Sequence, residues 1–150
     1  MREKLRILIY GTGVIGSIYA VLLSGAGHEV SVYARGSRLR ELRSKGLLFR
    51  ENDSVKQARV TVLDRLAPTD RFDYVFVPVR YEQIETALGE LAENASPNIV
   101  TMANNPKGYR AWESLVGQGR LIPAFAGAGG KIADGVLKTK LPCSTKHSVK

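Results

Sequence analysis

The sequence has little of what most small catalytic centres require. In 150 residues it holds one cysteine, Cys143, and two histidines, His28 and His147. A single thiol excludes an intramolecular disulfide framework, and so few soft ligands exclude a clustered zinc site. Cys143 has no histidine or base beside it that could activate it as a nucleophile. His28, in "GAGHEV", reads as a residue of a helix-to-strand turn rather than a catalytic base. A reducing cytoplasm is the expected setting.

Long blocks of one character are missing as well. The formal net charge is +8, yet lysine and arginine are scattered from Arg2 to Lys150 with no run of five. That is a generally basic surface, which attracts anions. No segment concentrates a basic helical face with base-reading residues, so a nucleic-acid partner is not expected. The one stretch that mimics a secretory leader, basic Met1 to Arg6 and then apolar Leu5 through Gly27, is broken by spaced glycines and by Thr12, Ser17 and Ser24. No other run approaches a membrane span, so a membrane partner is not expected either. The length suits one domain, expected over residues 1–143, with a disordered tail at 144–150.

What is present alternates. "LRILIY" at Leu5 to Tyr10 is a short apolar run of the kind buried on both faces of a sheet. Ile15, Ile18, Tyr19, Leu22 and Leu23 then recur at helical spacing up to Gly25 and Gly27, which can end a helix, and "EVSVYA" follows as a second strand. Strand, glycine turn, helix and strand within about thirty residues make a βαβ unit, whose crossover imposes parallel pairing.

Further on, a helix is expected over Ser37 to Ser44. Strands are expected at Leu47 to Phe49 and in "SVKQARVTVL", around a polar turn at Asn52 and Asp53. "DYVFVPV" reads as a buried strand and Tyr81 to Glu93 as a helix with Ile84, Leu88 and Leu91 inward. "NIVTMA" and "RLIPAFAGA" read as strands flanking a short helix around Trp112 to Val116, and "GVLKTKL" as an edge strand. The expected class is α/β, a Rossmann-type doubly wound and mostly parallel sheet.

The chemistry centres on Gly11-Thr12-Gly13-Val14-Ile15-Gly16, a G-x-G-x-x-G placed between a strand and a helix. Gly11 permits the sharp exit from the strand, Gly13 lets a pyrophosphate approach the backbone, and Gly16 lets helix and strand pack closely. First-turn amides at the positive helix end then bind the diphosphate. After the second strand, where a carboxylate would hold the ribose hydroxyls of NAD, stand Ala34 and Arg35. Arg35 can form charge-assisted bonds to a 2′-phosphate, and Arg38 can add another, so NADP(H) is the expected cofactor. Two more loops fall at C-terminal strand ends: "VPVRYEQ", with Arg80, and "MANNPKG", with Asn104 and Asn105. A guanidinium there can hold a carboxylate or phosphate, and an amide a carbonyl or hydroxyl. Asn-Asn-Pro equally forms turns. Trp112 and Tyr109 are expected to pack in the core.

Three blocks together, "ILIYGTGVIGSIYAVLLSGAGHEVSVYARGSRLREL", "DYVFVPVRYEQIETAL" and "TMANNPKG" followed by "GRLIPAFAGAGGKIADGVL", resemble the ketopantoate reductases (2-dehydropantoate 2-reductases) over Lys4 to Leu141. The resemblance implies NADPH-dependent reduction of a small 2-keto acid, ketopantoate to pantoate on the route to pantothenate, in a cleft between a Rossmann domain and a helical domain. It implies that Gly11, Gly13 and Gly16 hold the diphosphate and Arg35 the 2′-phosphate. Arg80 falls where the family usually has a lysine lining the cofactor cleft, and Asn104 on an asparagine that usually precedes glycine near nicotinamide and substrate. Both positions depart from the family's pattern, which widens the expected substrate to other small 2-keto or 2-hydroxy acids.

The family's general-acid lysine and substrate-binding glutamate belong to the helical domain, which these 150 residues do not include. The expectation is a chain that binds NADP(H) and barely turns over alone, paired with itself as a homodimer or with a separate helical domain. The competing expectation is a non-enzymatic NADP(H) sensor that regulates a partner.

Overall fold

A computed structural model describes residues 3–139. Strand β1 (Arg6–Tyr10) is buried at every position after Arg6. Successive strand side chains point to opposite faces. Leu8 and Tyr10 accordingly enter one core cluster, and Ile7 and Ile9 the other. Leu8 and Ile9 are fully removed from solvent, and such burial contributes about 1.5–3 kcal/mol per side chain. An apolar run with no polar alternation is the signature of a central strand covered twice.

Around β1 lie α1 (Val14–Gly25), β2 (Glu29–Tyr33), α2 (Gly36–Lys45), β3 (Leu48–Glu51), β4 (Ser54–Gln57), β5 (Val60–Leu63), β6 (Tyr74–Val77), α3 (Tyr81–Leu91), β7 (Ile99–Thr101), α4 (Arg110–Val116), β8 (Leu121–Pro123), β9 (Gly130–Ala133) and β10 (Val136–Thr139). Six strands form one sheet in the order β5-β2-β1-β6-β7-β8, and every pairing in it is parallel. This is the expected Rossmann-type, doubly wound sheet. Its two halves run outward from β1 and β6, so the strand order reverses between those two, where such sheets bind ligands.

Local signals account for most helix ends. Helix α1 stops at Gly25, and Gly27 takes φ +97°, a conformation open to glycine at little cost. His28 closes the turn as expected: its amide donates to the Leu23 carbonyl at 3.2 Å, and its Nδ1 accepts the Leu5 amide at 3.1 Å. Ile84, Leu88 and Leu91 of α3 are fully buried, and Trp112 packs edge-on against Tyr109.

The second sheet differs from the sequence expectation. Its order is β4-β3-β10-β9. "SVKQARVTVL" is split: β4 pairs antiparallel with β3, whereas β5 crosses to the large sheet and pairs with β2. The "GVLKTKL" segment is not an edge strand, because β10 lies between β3 and β9 and pairs with both. Strand β9 was not anticipated, although Asp134 and Gly135, both at positive φ, form the tight Asp-Gly turn that marks a hairpin. "RLIPAFAGA" yields only the three residues of β8. Pro123 has no amide to donate and sits on the sheet edge, and Phe125 beyond it is 67% exposed as the chain leaves for the second sheet. The tail expected at 144–150, with Cys143 and His147, lies outside the described residues.

Candidate functional site at the strand switch

The glycine turn leaves β1 at the reversal of strand order and enters α1 under steric control. Gly11 adopts φ +120°, and a Cβ there would meet Val79 Cγ1 at 2.9 Å. A Cβ on Gly16 would lie 1.9 Å from the Gly11 carbonyl oxygen, so helix and turn touch backbone to backbone. Gly13 is different, since a Cβ there would meet nothing within 4 Å. Packing within the fold therefore does not require a glycine there.

The cleft has a volume of about 840 Å³. Val14 and Ile15 of the first helical turn border it, as do Arg35, Arg38 and Arg80. Helix α1 carries no side-chain cap and no acidic residue in its first turn. Its leading amides and positive end are therefore available to an anion. Together with the open face of Gly13, this donor set fits a dinucleotide diphosphate. Thr12 is nearly buried, and its carbonyl oxygen is occupied by protein donors.

Those donors include Arg38. Its Nε donates to the Thr12 carbonyl at 2.9 Å, its Nη2 to Ser17 Oγ at 3.1 Å and its Nη1 to Glu41 at 2.7 Å. Each guanidinium nitrogen thus has a partner in the protein. Arg38 borders the cleft as the sequence suggested, but its geometry is that of a brace beneath the glycine turn.

Arg35 stands one residue before α2, with its side chain 60% exposed. Its Nε donates to Tyr33 Oη at 2.7 Å and its carbon head lies 5.2 Å from the Tyr33 ring centre. Tyr33 stacks on Tyr10 with ring centres 4.7 Å apart. The Arg35 Nη2 forms an ion pair with both carboxylate oxygens of Glu90, on α3, and the Tyr10 hydroxyl donates to the same carboxylate. Glu90 and Tyr33 bond to the guanidinium and hold its pKa above the ordinary arginine value. Burial pushes the Glu90 carboxyl upward, but bonds from Arg35 and Tyr10 outweigh it and leave the pKa below the usual carboxylate range. Burial, then the bond to Glu90, raises the Tyr10 phenol.

The remaining predicted positions separate. Arg80 is exposed at the cleft mouth, where β6 gives way to α3. Asn104 and Asn105 follow β7, one strand further out, and neither borders this cleft. Asn105 is buried, and its Oδ1 accepts the Lys107 amide at 3.0 Å, the turn-forming use of an asparagine. Asn104 is exposed. Sequence reasoning missed the tyrosine pair and the polar face of α3, where Glu82, Gln83 and Thr86 border the cleft. With Glu90 they recur at helical spacing, a visible polar stripe that did not itself reveal what it faces. Among the described residues no group of three or more His, Cys, Asp or Glu could hold a metal ion. No helix among them is long and apolar enough to cross a membrane.

Residues 7–138 match the family model described as ketopantoate reductase PanE/ApbA. The chain belongs to that family. Among curated proteins, a 2-dehydropantoate 2-reductase of Archaeoglobus fulgidus is 33% identical over 99 residues, which cover 66% of this chain and 32% of that protein. Among solved structures, 2-dehydropantoate 2-reductase from Methylococcus capsulatus superposes with a TM-score of 0.74 at 26% identity, over 91% of this chain and 46% of that one. D-mandelate dehydrogenase in complex with NADH and anilino(oxo)acetate shares the fold, with a TM-score of 0.77 at 18% identity over 89% of this chain and 45% of that one. The matched span is about a third of the curated relative and about half of the solved chains.

Proposed function

We propose that this chain supplies the NADP(H)-binding part of a ketopantoate reductase-like oxidoreductase that reduces a small 2-keto acid. The observation that carries the cofactor reading is Arg35, a cation at the end of β2 where a carboxylate would favour NAD. A guanidinium forms forked, charge-assisted bonds to a phosphate and would be wasted on ribose hydroxyls. Gly11, Gly13 and Gly16 with the amides of Thr12, Val14 and Ile15 would hold the diphosphate. Arg80, at the cleft mouth, would place its positive charge beside the cofactor. Arg38 would act through the turn it braces.

When bound, NADPH supplies hydride to the carbonyl carbon of the acid. The protein's part is to fix the dinucleotide across the strand switch, exclude water beneath it and hold the acid's anionic end. Asn104, after β7, is the proposed contact to substrate, and Asn105 shapes its loop. A proton must also reach the carbonyl oxygen. In the family that donor is a lysine of the helical domain. Residues 1–150 alone are therefore proposed to bind NADP(H) and scarcely turn over, with a helical domain or a second copy completing the cleft. The domain is proposed to span residues 1–143, in a reducing cytoplasm.

Fluorescence titration with both reduced cofactors tests the assignment. NADPH is expected to bind more tightly, and equal or stronger binding of NADH sinks it. Ketopantoate reduction by the purified chain, above the rate with NADPH alone, would overturn the statement about turnover. The sensor reading gains ground instead if cofactor binds and a helical domain added in trans restores no reduction of any 2-keto acid.

A further inference from the structure

The Arg35 head is not an open anion site. It sits against a carboxylate contributed from 55 residues away in the chain, and the Tyr10 hydroxyl donates to one of the oxygens that Arg35 contacts. Tyr10 is in turn stacked on Tyr33, whose own hydroxyl accepts from Arg35 Nε. The four residues close a ring: Glu90 to Arg35, Arg35 to Tyr33, Tyr33 against Tyr10, Tyr10 back to Glu90. This is a positioned carboxylate rather than a chance surface partner. Thr86, one helical turn before Glu90 on α3, borders the cleft, so the ring lies at the cleft's rim.

We propose that Glu90 sets the cofactor preference of the site, as a built-in anion that competes with the 2′-phosphate for Arg35 and narrows the margin of NADP(H) over NAD(H). This rests on the reading of Arg35 as the 2′-phosphate ligand. A dianionic phosphate at Arg35 must either displace Glu90 or settle beside it. Displacement breaks the ion pair, and cohabitation sets like charges within a few ångströms. An unphosphorylated ribose meets neither penalty, because its hydroxyls are donors that a carboxylate accepts. The pair is partly exposed, with side-chain accessibilities of 60% for Arg35 and 38% for Glu90, so it is screened and can open. Glu90 thus weakens the preference that Arg35 creates.

The test is titration of the whole chain with NADPH, with NADH, and with adenosine 2′,5′-bisphosphate against adenosine 5′-monophosphate. Wild type, Glu90→Gln and Tyr10→Phe are compared, with melting curves to show that each is folded. Glu90→Gln is expected to tighten NADPH and the bisphosphate about fivefold to tenfold while NADH and the monophosphate change less than twofold. Tyr10→Phe keeps the charge and frees the carboxylate to swing away, so it should move the NADPH-to-NADH ratio in the same direction by a smaller factor. A ratio that stays constant or falls in Glu90→Gln overturns the proposal even where wild type binds NADPH as assigned. If wild type prefers NADH and Glu90→Gln still raises the ratio, the proposal stands and the cofactor assignment falls. If wild type binds none of the four probes, both fall.

Discussion

Arg120 donates twice to the Ser96 carbonyl oxygen, from Nε at 3.1 Å and from Nη2 at 2.8 Å. The same side chain reaches the carbonyls of Leu91, Ala92 and Asn94 at the end of α3, and of Val116 at the end of α4. These are carbonyls that helix termini leave without internal partners. One guanidinium therefore ties both helices of the β6-β7-β8 half to the start of β8. Burial lowers the Arg120 pKa from its ordinary value, but arginine stays charged, so the fork is permanent near neutral pH.

Replacing Arg120 by Met keeps an apolar stem and removes every donor. Calorimetry should show a loss of about 2–3 kcal/mol, hence a fall in Tm of roughly 5–10 °C. Arg120→Lys should recover only part of this, because a point ammonium cannot reach the same set of carbonyls. A melting temperature unchanged in the Met variant would mean that water satisfies these carbonyls equally well.

Gly16 and Gly13 of the turn should fail in different ways. Gly16→Ala places a Cβ 1.9 Å from a backbone oxygen, with no flexible side chain to yield. That variant should lose both stability and cofactor binding. Gly13→Ala meets nothing in the protein within 4 Å and sits at an ordinary φ of −70°. It should melt like wild type and bind NADPH at least tenfold more weakly, read by thermal shift and titration side by side. Equal losses of stability in the two would contradict the division between packing glycine and approach glycine.

Arg35→Gln removes the charge next to the proposed 2′-phosphate position. NADPH affinity should drop about 10- to 100-fold, with NADH affinity nearly constant. Raising salt should weaken NADPH binding to wild type more than to the variant. A parallel loss for both cofactors would place Arg35 at the diphosphate or in the fold instead.

The Glu90 carboxyl sits below the usual carboxylate range in the folded chain. A group with a depressed folded pKa contributes stability that is present above the unfolded value and lost as pH falls through the folded one. Carbon-13 NMR of the side-chain carboxyls should find Glu90 titrating below the ordinary glutamate range. In Arg35→Gln the Glu90 midpoint should move up. The effect on Tm will be slight, because this pair is partly exposed and screened. A midpoint at or above the ordinary glutamate value would mean that the contacts of Glu90 with Arg35 and Tyr10 do not persist in solution.

Much of the large sheet was legible because its causes are local. The β1 run, the three spaced glycines and the helical spacing in α1 and α3 each specify their own conformation within a dozen residues. The second sheet was less so. Strand β10 pairs with β3, 88 residues earlier at Val136 and Leu48, and nothing in "GVLKTKL" names its partner. The Asp134-Gly135 turn was a readable signal for the β9–β10 hairpin, hidden among the glycines of the preceding loop.

The sequence by itself determined that a G-x-G-x-x-G turn lies between a buried strand and a helix, and that a cation rather than a carboxylate follows the second strand. Backbone sterics at glycine and the side-chain periods of strand and helix act over short spans, so they can be read residue by residue. Only the tertiary structure decided what each arginine is available for. Arg38 is spent on Thr12, Ser17 and Glu41, whereas Arg35 meets a carboxylate from α3, 55 residues further along the chain. Charge interactions depend on distance in space and not on distance along the chain, so Arg35's partner became visible only when α3 was folded onto the sheet.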